Sequence, residues 1–73
     1  MTNKELIICI GLNIIKLREE QGLTIQEFSD KLNIEYNNLI RIEKGRTNPT
    51  IGTLFKIAET LEVDLVDLIK IEK

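Results

Sequence analysis

Asn37, Ile40, Arg41 and Lys44 stand at i, i+3, i+4 and i+7, so on a helix they share one side. Leu39 and Ile42 turn to the other. The outer residue types are those that read base edges in a major groove. Asparagine contacts adenine in bidentate fashion, arginine contacts guanine, and an apolar group touches the thymine methyl. A solvated helix face is polar too, and this helix alone leaves both readings open. The stretch that follows, GRTNPT (45–50), shifts the balance. It offers Arg46, hydroxyls, an amide and backbone N–H groups, the usual phosphate contacts that set a protein's register on a duplex.

Other chemistries lack their residues. The chain has no histidine, one cysteine and no glycine-rich phosphate loop. Acid–base, nucleophilic and phosphate-transfer sites have nothing to build on. Acidic residues are dispersed as on a solvated surface, and Cys9 sits in an apolar run with no basic neighbour to activate it. The reading is a non-enzyme with no metal site and no cofactor.

The elements that position the outer face follow from local signals. Thr24 and Glu27 form a capping box that opens a helix over Ile25–Leu32, with Phe28 and Leu32 on its inner face. Asn33 tolerates the left-handed conformation that ends it. A short turn leads to a third helix, Tyr36 to Lys44, stopped by Gly45. Two helices across so tight a turn (about 24–45) are a helix-turn-helix. Upstream, a first helix is expected from Lys4 or Glu5 to Gln21, with Gly22 just past its end and Leu6, Ile10, Ile14 and Leu17 inward. Downstream, Asn48–Pro49 breaks the chain. Thr50 caps a fourth helix, Ile51–Leu61, with Leu54, Ile57, Ala58 and Leu61 in the core and Phe55 beside them. Asp64 and Asp67 cap a fifth, turning Leu65, Leu68 and Ile69 inward, and residues 71–73 are expected to fray. No strand pattern appears. The fold class is all-α, a single domain over 1–73.

With these segments in place the chain resembles the Cro/lambda-repressor (XRE) family of helix-turn-helix regulators. LREEQGLT (17–24), KLNI (31–34), RIEKG (41–45), RTNPT (46–50) and LFKIAETLEVDLVDLI (54–69) follow the family's order and spacing over most of the chain. The resemblance implies a compact five-helix, lambda-repressor-like DNA-binding domain with the helix-turn-helix at helices 2 and 3. It implies an ion pair between Arg18 and Glu43 that ties helix 1 to the recognition helix. The expected base contacts are Tyr36, Asn37, Ile40 and Arg41, and the expected phosphate contacts are Thr24, Asn38, Lys44, Arg46, Thr47 and Asn48. Three positions depart from the family's habit. Ile25 stands where glutamine is common, and Glu35 and Tyr36 stand where serine or glutamine begins helix 3. These replace the polar phosphate clamp and imply weaker binding or a different readout through Tyr36, Asn37 and Arg41.

Charge supports a focused contact over a polybasic one. The net charge is −2, yet residues 36–50 carry Arg41, Lys44 and Arg46 against Glu43. Residues 1–35 and 51–73 are each net negative. The positive patch on an acidic body orients the protein on a polyanion. A single cysteine suits a reducing, cytoplasmic compartment. The apolar run at 6–15 is interrupted by Gly11 and Asn13 and continues into a charged helix, so it reads as neither leader nor membrane span.

The expected partner is double-stranded DNA, bound by a homodimeric repressor on a two-fold operator. The alternative is an antitoxin-like or adaptor module whose partner is a protein. Val66, Ile69 and Ile71 are the expected dimer contact. Ile8, Leu12 and Ile15 form a second apolar stripe on helix 1, opposite Leu6, Ile10, Ile14 and Leu17, and are expected to meet a partner.

Overall fold

The computed structural model describes residues 1–71. It contains α1 (Asn3–Glu20), α2 (Ile25–Leu32), α3 (Tyr36–Glu43), α4 (Ile51–Leu61) and α5 (Leu65–Ile69). No strand occurs among the described residues. Of the terminal stretch expected to fray, 72 and 73 lie outside the described residues.

α1 begins earlier than expected because Thr2 caps it. The Glu5 N–H donates to Thr2 Oγ1 at 3.1 Å and the Thr2 N–H donates to Glu5 Oε1 at 3.1 Å. That reciprocal box is written in the sequence as Thr2-x-x-Glu5. α2 has the same device at Thr24 and Glu27.

Four helices end alike, with a left-handed residue whose successor donates back five residues. The bonds are Leu23 N–H to Arg18 O, Ile34 N–H to Ser29 O, Arg46 N–H to Arg41 O and Val63 N–H to Ala58 O, at 2.9–3.1 Å. The left-handed positions are Gly22, Asn33, Gly45 and Glu62. Glu62, at φ 59°, is the one residue of the four whose type does not favour that region.

The core is Ile10 and Ile14 of α1, Phe28 and Leu32 of α2, Leu39 and Ile42 of α3, Leu54, Ile57, Ala58 and Leu61 of α4, and Leu68 of α5. Leu6, Leu17 and Leu65 pack partly buried against it. Two expectations are corrected. Phe55 is 53% exposed, because it lies one residue off the stripe of Leu54, Ile57, Ala58 and Leu61. Ile69 is 41% exposed, because α5 is only five residues long and turns Leu68 inward.

α1 runs between α5 and α3, while α2 packs on α3 and α4. Polar side chains lock these contacts. Asn13 Nδ2 donates to the carbonyls of Leu68 and Lys70 at 2.8 Å each, satisfying acceptors at the end of α5. Gln21 Nε2 does the same for Leu61 O at the end of α4, at 2.6 Å. Among the described residues no buried side-chain polar atom lacks a partner.

Candidate nucleic-acid interface

α3 is held on its inner side by the buried Leu39 and Ile42, which leaves Tyr36, Asn37, Asn38, Arg41 and Lys44 exposed. Ile40 is half-buried. It lines a groove with Ile15, Ile25 and Lys44, so it borders the outer face rather than projecting from it. Lys44 is the C-terminal cap, one residue past the helix.

Beyond it Gly45, at φ 68°, reverses the chain into the loop. Arg46 and Asn48 are exposed and Thr47 is half-buried. Asn38, Thr47 and Asn48 line one shallow groove of about 200 Å³ with Thr50 and Thr53, which brings half of the expected phosphate-facing set together. Thr24 stands apart at the start of α2. Its Oγ1 accepts from the Glu27 N–H, and its hydroxyl keeps a proton to donate. The Thr24 backbone and hydroxyl, aided by Lys31, hold the exposed Glu27 carboxyl below its ordinary range. The mouth of α2 is therefore negatively charged at neutral pH. Glu35, at the start of α3, makes no side-chain cap bond.

Arg18 and Glu43 meet as a fork. Arg18 Nε donates to Glu43 Oε2 at 2.8 Å and Nη2 to Oε1 at 3.2 Å, while Nη1 donates to Leu23 O at 2.8 Å. Both side chains are nearly inaccessible, 9% and 3% exposed. The planar guanidinium thus ties α1, the α1–α2 turn and the last residue of α3 at one point.

The apolar candidates are spread over two regions. Leu12 is 59% exposed and Ile8 39% exposed, whereas Ile15 is half-buried in the groove beside Ile25 and Ile40. The stripe is not uniformly open: α3 covers part of it, because α1 has a neighbour on each of two sides. Val66 and Ile71 are exposed, as is Ile69. Sequence reasoning missed Ile51 and Phe55, 69% and 53% exposed and four apart on α4. With Ile69, Ile51 borders an apolar groove of about 350 Å³ that also takes in Leu6, Ile7 and Pro49. The i, i+4 spacing of Ile51 and Phe55 was the available signal. Among the described residues no cluster could hold a metal ion, and no helix is long and apolar enough to cross a membrane.

The helix-turn-helix family model matches residues 14–68, most of the chain, including α2, α3, the loop after α3 and the Arg18–Glu43 fork. The chain belongs to the helix-turn-helix family. An uncharacterised HTH-type transcriptional regulator of Sinorhizobium fredii is 38% identical over 60 residues, 82% of this chain and 78% of its own length. The HTH-type regulator SlrR of Bacillus subtilis is 34% identical over 64 residues, 86% of this chain but 42% of the relative. Among solved structures, a transcriptional regulator of the same family from Vibrio cholerae superposes with a TM-score of 0.85 at 30% identity, over 92% of this chain and 38% of that one. The restriction–modification controller protein of Aeromonas hydrophila shares the fold, with a TM-score of 0.81 at 19% identity over 85% and 94% of the two chains. This helix-turn-helix protein is thus a DNA-binding transcription regulator, of a family of regulators rather than enzymes.

Proposed function

We propose that the protein is a cytoplasmic repressor that binds a two-fold operator as a homodimer and acts by occupancy. One observation carries the reading. Asn37, Arg41 and Lys44 are exposed on a helix whose inner side is core and whose end is fixed by the Arg18–Glu43 fork. Tyr36, Asn37, Ile40 and Arg41 are the base-reading set. Thr24, Asn38, Lys44, Arg46, Thr47 and Asn48 take phosphates. The test is selection of bound duplex from a random pool, followed by affinity for the selected and a scrambled sequence as a function of salt. A two-fold consensus with half-sites centred roughly 34 Å apart is expected, with a steep salt slope. Failure to enrich any duplex sinks the reading.

Val66, Ile69 and Ile71, joined by Ile51 and Phe55, form the dimer contact in this proposal. Their exposure supports it, together with the apolar groove that Ile51 and Ile69 border, since clustered apolar residues mark interfaces where scattered ones are ordinary. A monomer by sedimentation at tens of micromolar, with and without operator, removes it. The protein-interaction alternative draws on the same apolar surface, on Leu12, and on the charge of Glu27 and Glu35 near the α2–α3 unit. It predicts self-association or partner capture without duplex enrichment.

A further inference from the structure

We propose that Gly11, with Gly45, is a positioning residue for base reading: a backbone-to-backbone contact between α1 and the end of α3 sets where Arg41 and Lys44 stand. The inference rests on the DNA-reading function proposed above. Gly11 is buried in the interior of an 18-residue helix, where glycine is a weaker helix former than alanine. A Cβ there would lie 2.4 Å from Glu43 O, 2.8 Å from Ile42 O and 2.9 Å from Glu43 C. All three are backbone atoms, so no side chain can swing aside. On the far side of the same turn, a Cβ at Gly45 would lie 2.8 Å from Ile8 Cγ1 and 2.9 Å from Ile8 Cα. The two glycines therefore let the first helix touch both the last carbonyls of α3 and the reversal that follows.

Ile8, Gly11, Ile15 and Arg18 are spaced three, four and three, one continuous face of α1. Ile8 meets Gly45, Gly11 meets residues 42 and 43, Ile15 shares a groove with Ile40, and Arg18 forks onto Glu43. This face grips α3 at its C-terminal end. Leu39, Ile42 and α2 hold the helix's inner side and its opposite end has no side-chain cap, so the grip bears on where the C-terminal turn stands. Arg41 and Lys44 flank the gripped residues. A methyl group at Gly11 must move the last turn of α3 by roughly an ångström to restore van der Waals separation. Hydrogen bonds to base edges do not survive such a shift, whereas long side chains on phosphates follow it.

The experiment compares wild type, Gly11→Ala and Ile57→Val, the last a core truncation in α4 that destabilises without touching α3's end. Each is shown folded by circular dichroism at the temperature used. Each is then titrated with the selected duplex and with a scrambled one. Gly11→Ala should lose roughly tenfold in the ratio of the two affinities, with scrambled-duplex affinity within about twofold of wild type. Ile57→Val should keep the wild-type ratio. An unchanged ratio in folded Gly11→Ala, or equal loss on both duplexes, overturns the proposal. Should Gly11→Ala not fold, Gly45→Asn takes its place under the same criteria, since asparagine accepts the left-handed backbone while its Cβ presses on Ile8. If neither folds, the contact belongs to stability alone and the proposal fails. A wild type that selects no duplex refutes the DNA-reading function itself and this inference with it. A wild type that discriminates beside a Gly11→Ala that also does refutes only the inference.

Discussion

Replacing Arg18 with methionine tests how much of the fold hangs on one fork. The variant keeps the length and apolar stem of the side chain but removes three donated hydrogen bonds, two to Glu43 and one to Leu23 O. Glu43, with 3% of its side chain exposed, has no water to replace them. Removing one partner of a buried pair costs about 3–5 kcal/mol, because the other is left as an uncompensated charge. The whole domain should be stable by about 4–11 kcal/mol at its length. Arg18→Met should therefore lose about a quarter of that stability at the least. Glu43→Leu should lose a comparable amount by stranding the guanidinium. The double variant should be far milder than the sum of the two, with a residue of about 1 kcal/mol for the orphaned Leu23 carbonyl. Urea unfolding followed by far-ultraviolet circular dichroism gives all four corners of the cycle, and urea leaves the charges unscreened. Single losses under about 1 kcal/mol, the range of exposed pairs, would refute the reasoning. They would mean that water reaches the fork and that its role is not to stabilise.

Arg41→Ala should cost about 1–3 kcal/mol on the selected duplex and relax preference at one base pair. Equal loss on scrambled duplex would reassign it to phosphate. Lys44→Ala and Arg46→Ala should each weaken binding to any duplex and lower the salt slope by about one, and an unchanged slope would remove the residue from the interface. Glu62→Gly should raise stability by about 0.5–1 kcal/mol, the strain of a left-handed side-chain residue less the entropy of glycine; a lower urea midpoint would contradict it. Glu27→Gln should destabilise at neutral pH. The folded carboxyl titrates below its ordinary 4.5, so its contribution is present above that value and is lost as pH falls through the lower, folded value. The difference between wild type and variant should close on acidification, and a gap that persists at the lowest pH would show that charge is not its source.

The helices were legible because their ends are chemical. Thr24–Glu27, Thr50, Asn33, Gly22 and Gly45 each supply or release a particular backbone group, and α2 and α4 run over the residues those signals bracket. Thr2–Glu5 carried the same signal at the start of α1. Phe55 and Ile69 were misplaced because hydrophobicity says that a residue gains from burial, not that the domain has room for it. Legibility of the candidate site was of another kind. Periodicity separates Leu39 and Ile42 from Asn37, Arg41 and Lys44, but says nothing of Ile40, whose half-burial depends on Ile15 and Ile25 arriving from elsewhere in the chain.

α1 is covered on two sides. Ile8 and Ile15 lie away from the buried Ile10 and Ile14, as their angular spacing requires, yet a domain this small still covers its first helix on more than one side. α1 meets α5 with one face, through Asn13 and the end of that helix, and α3 with another. The residue that permits the second contact is Gly11, which in the sequence interrupts an apolar run and marks nothing by its own type. A glycine's meaning lies in what approaches it, and the approaching atoms are backbone carbonyls 31 and 32 residues away in the chain. No pattern of side chains encodes that proximity. The Arg18–Glu43 pair, by contrast, could be named because the family resemblance implies it and two charged residues stand at the matching positions. The same α1–α3 contact is thus half visible in sequence, at its charged end, and half invisible, at its glycine end.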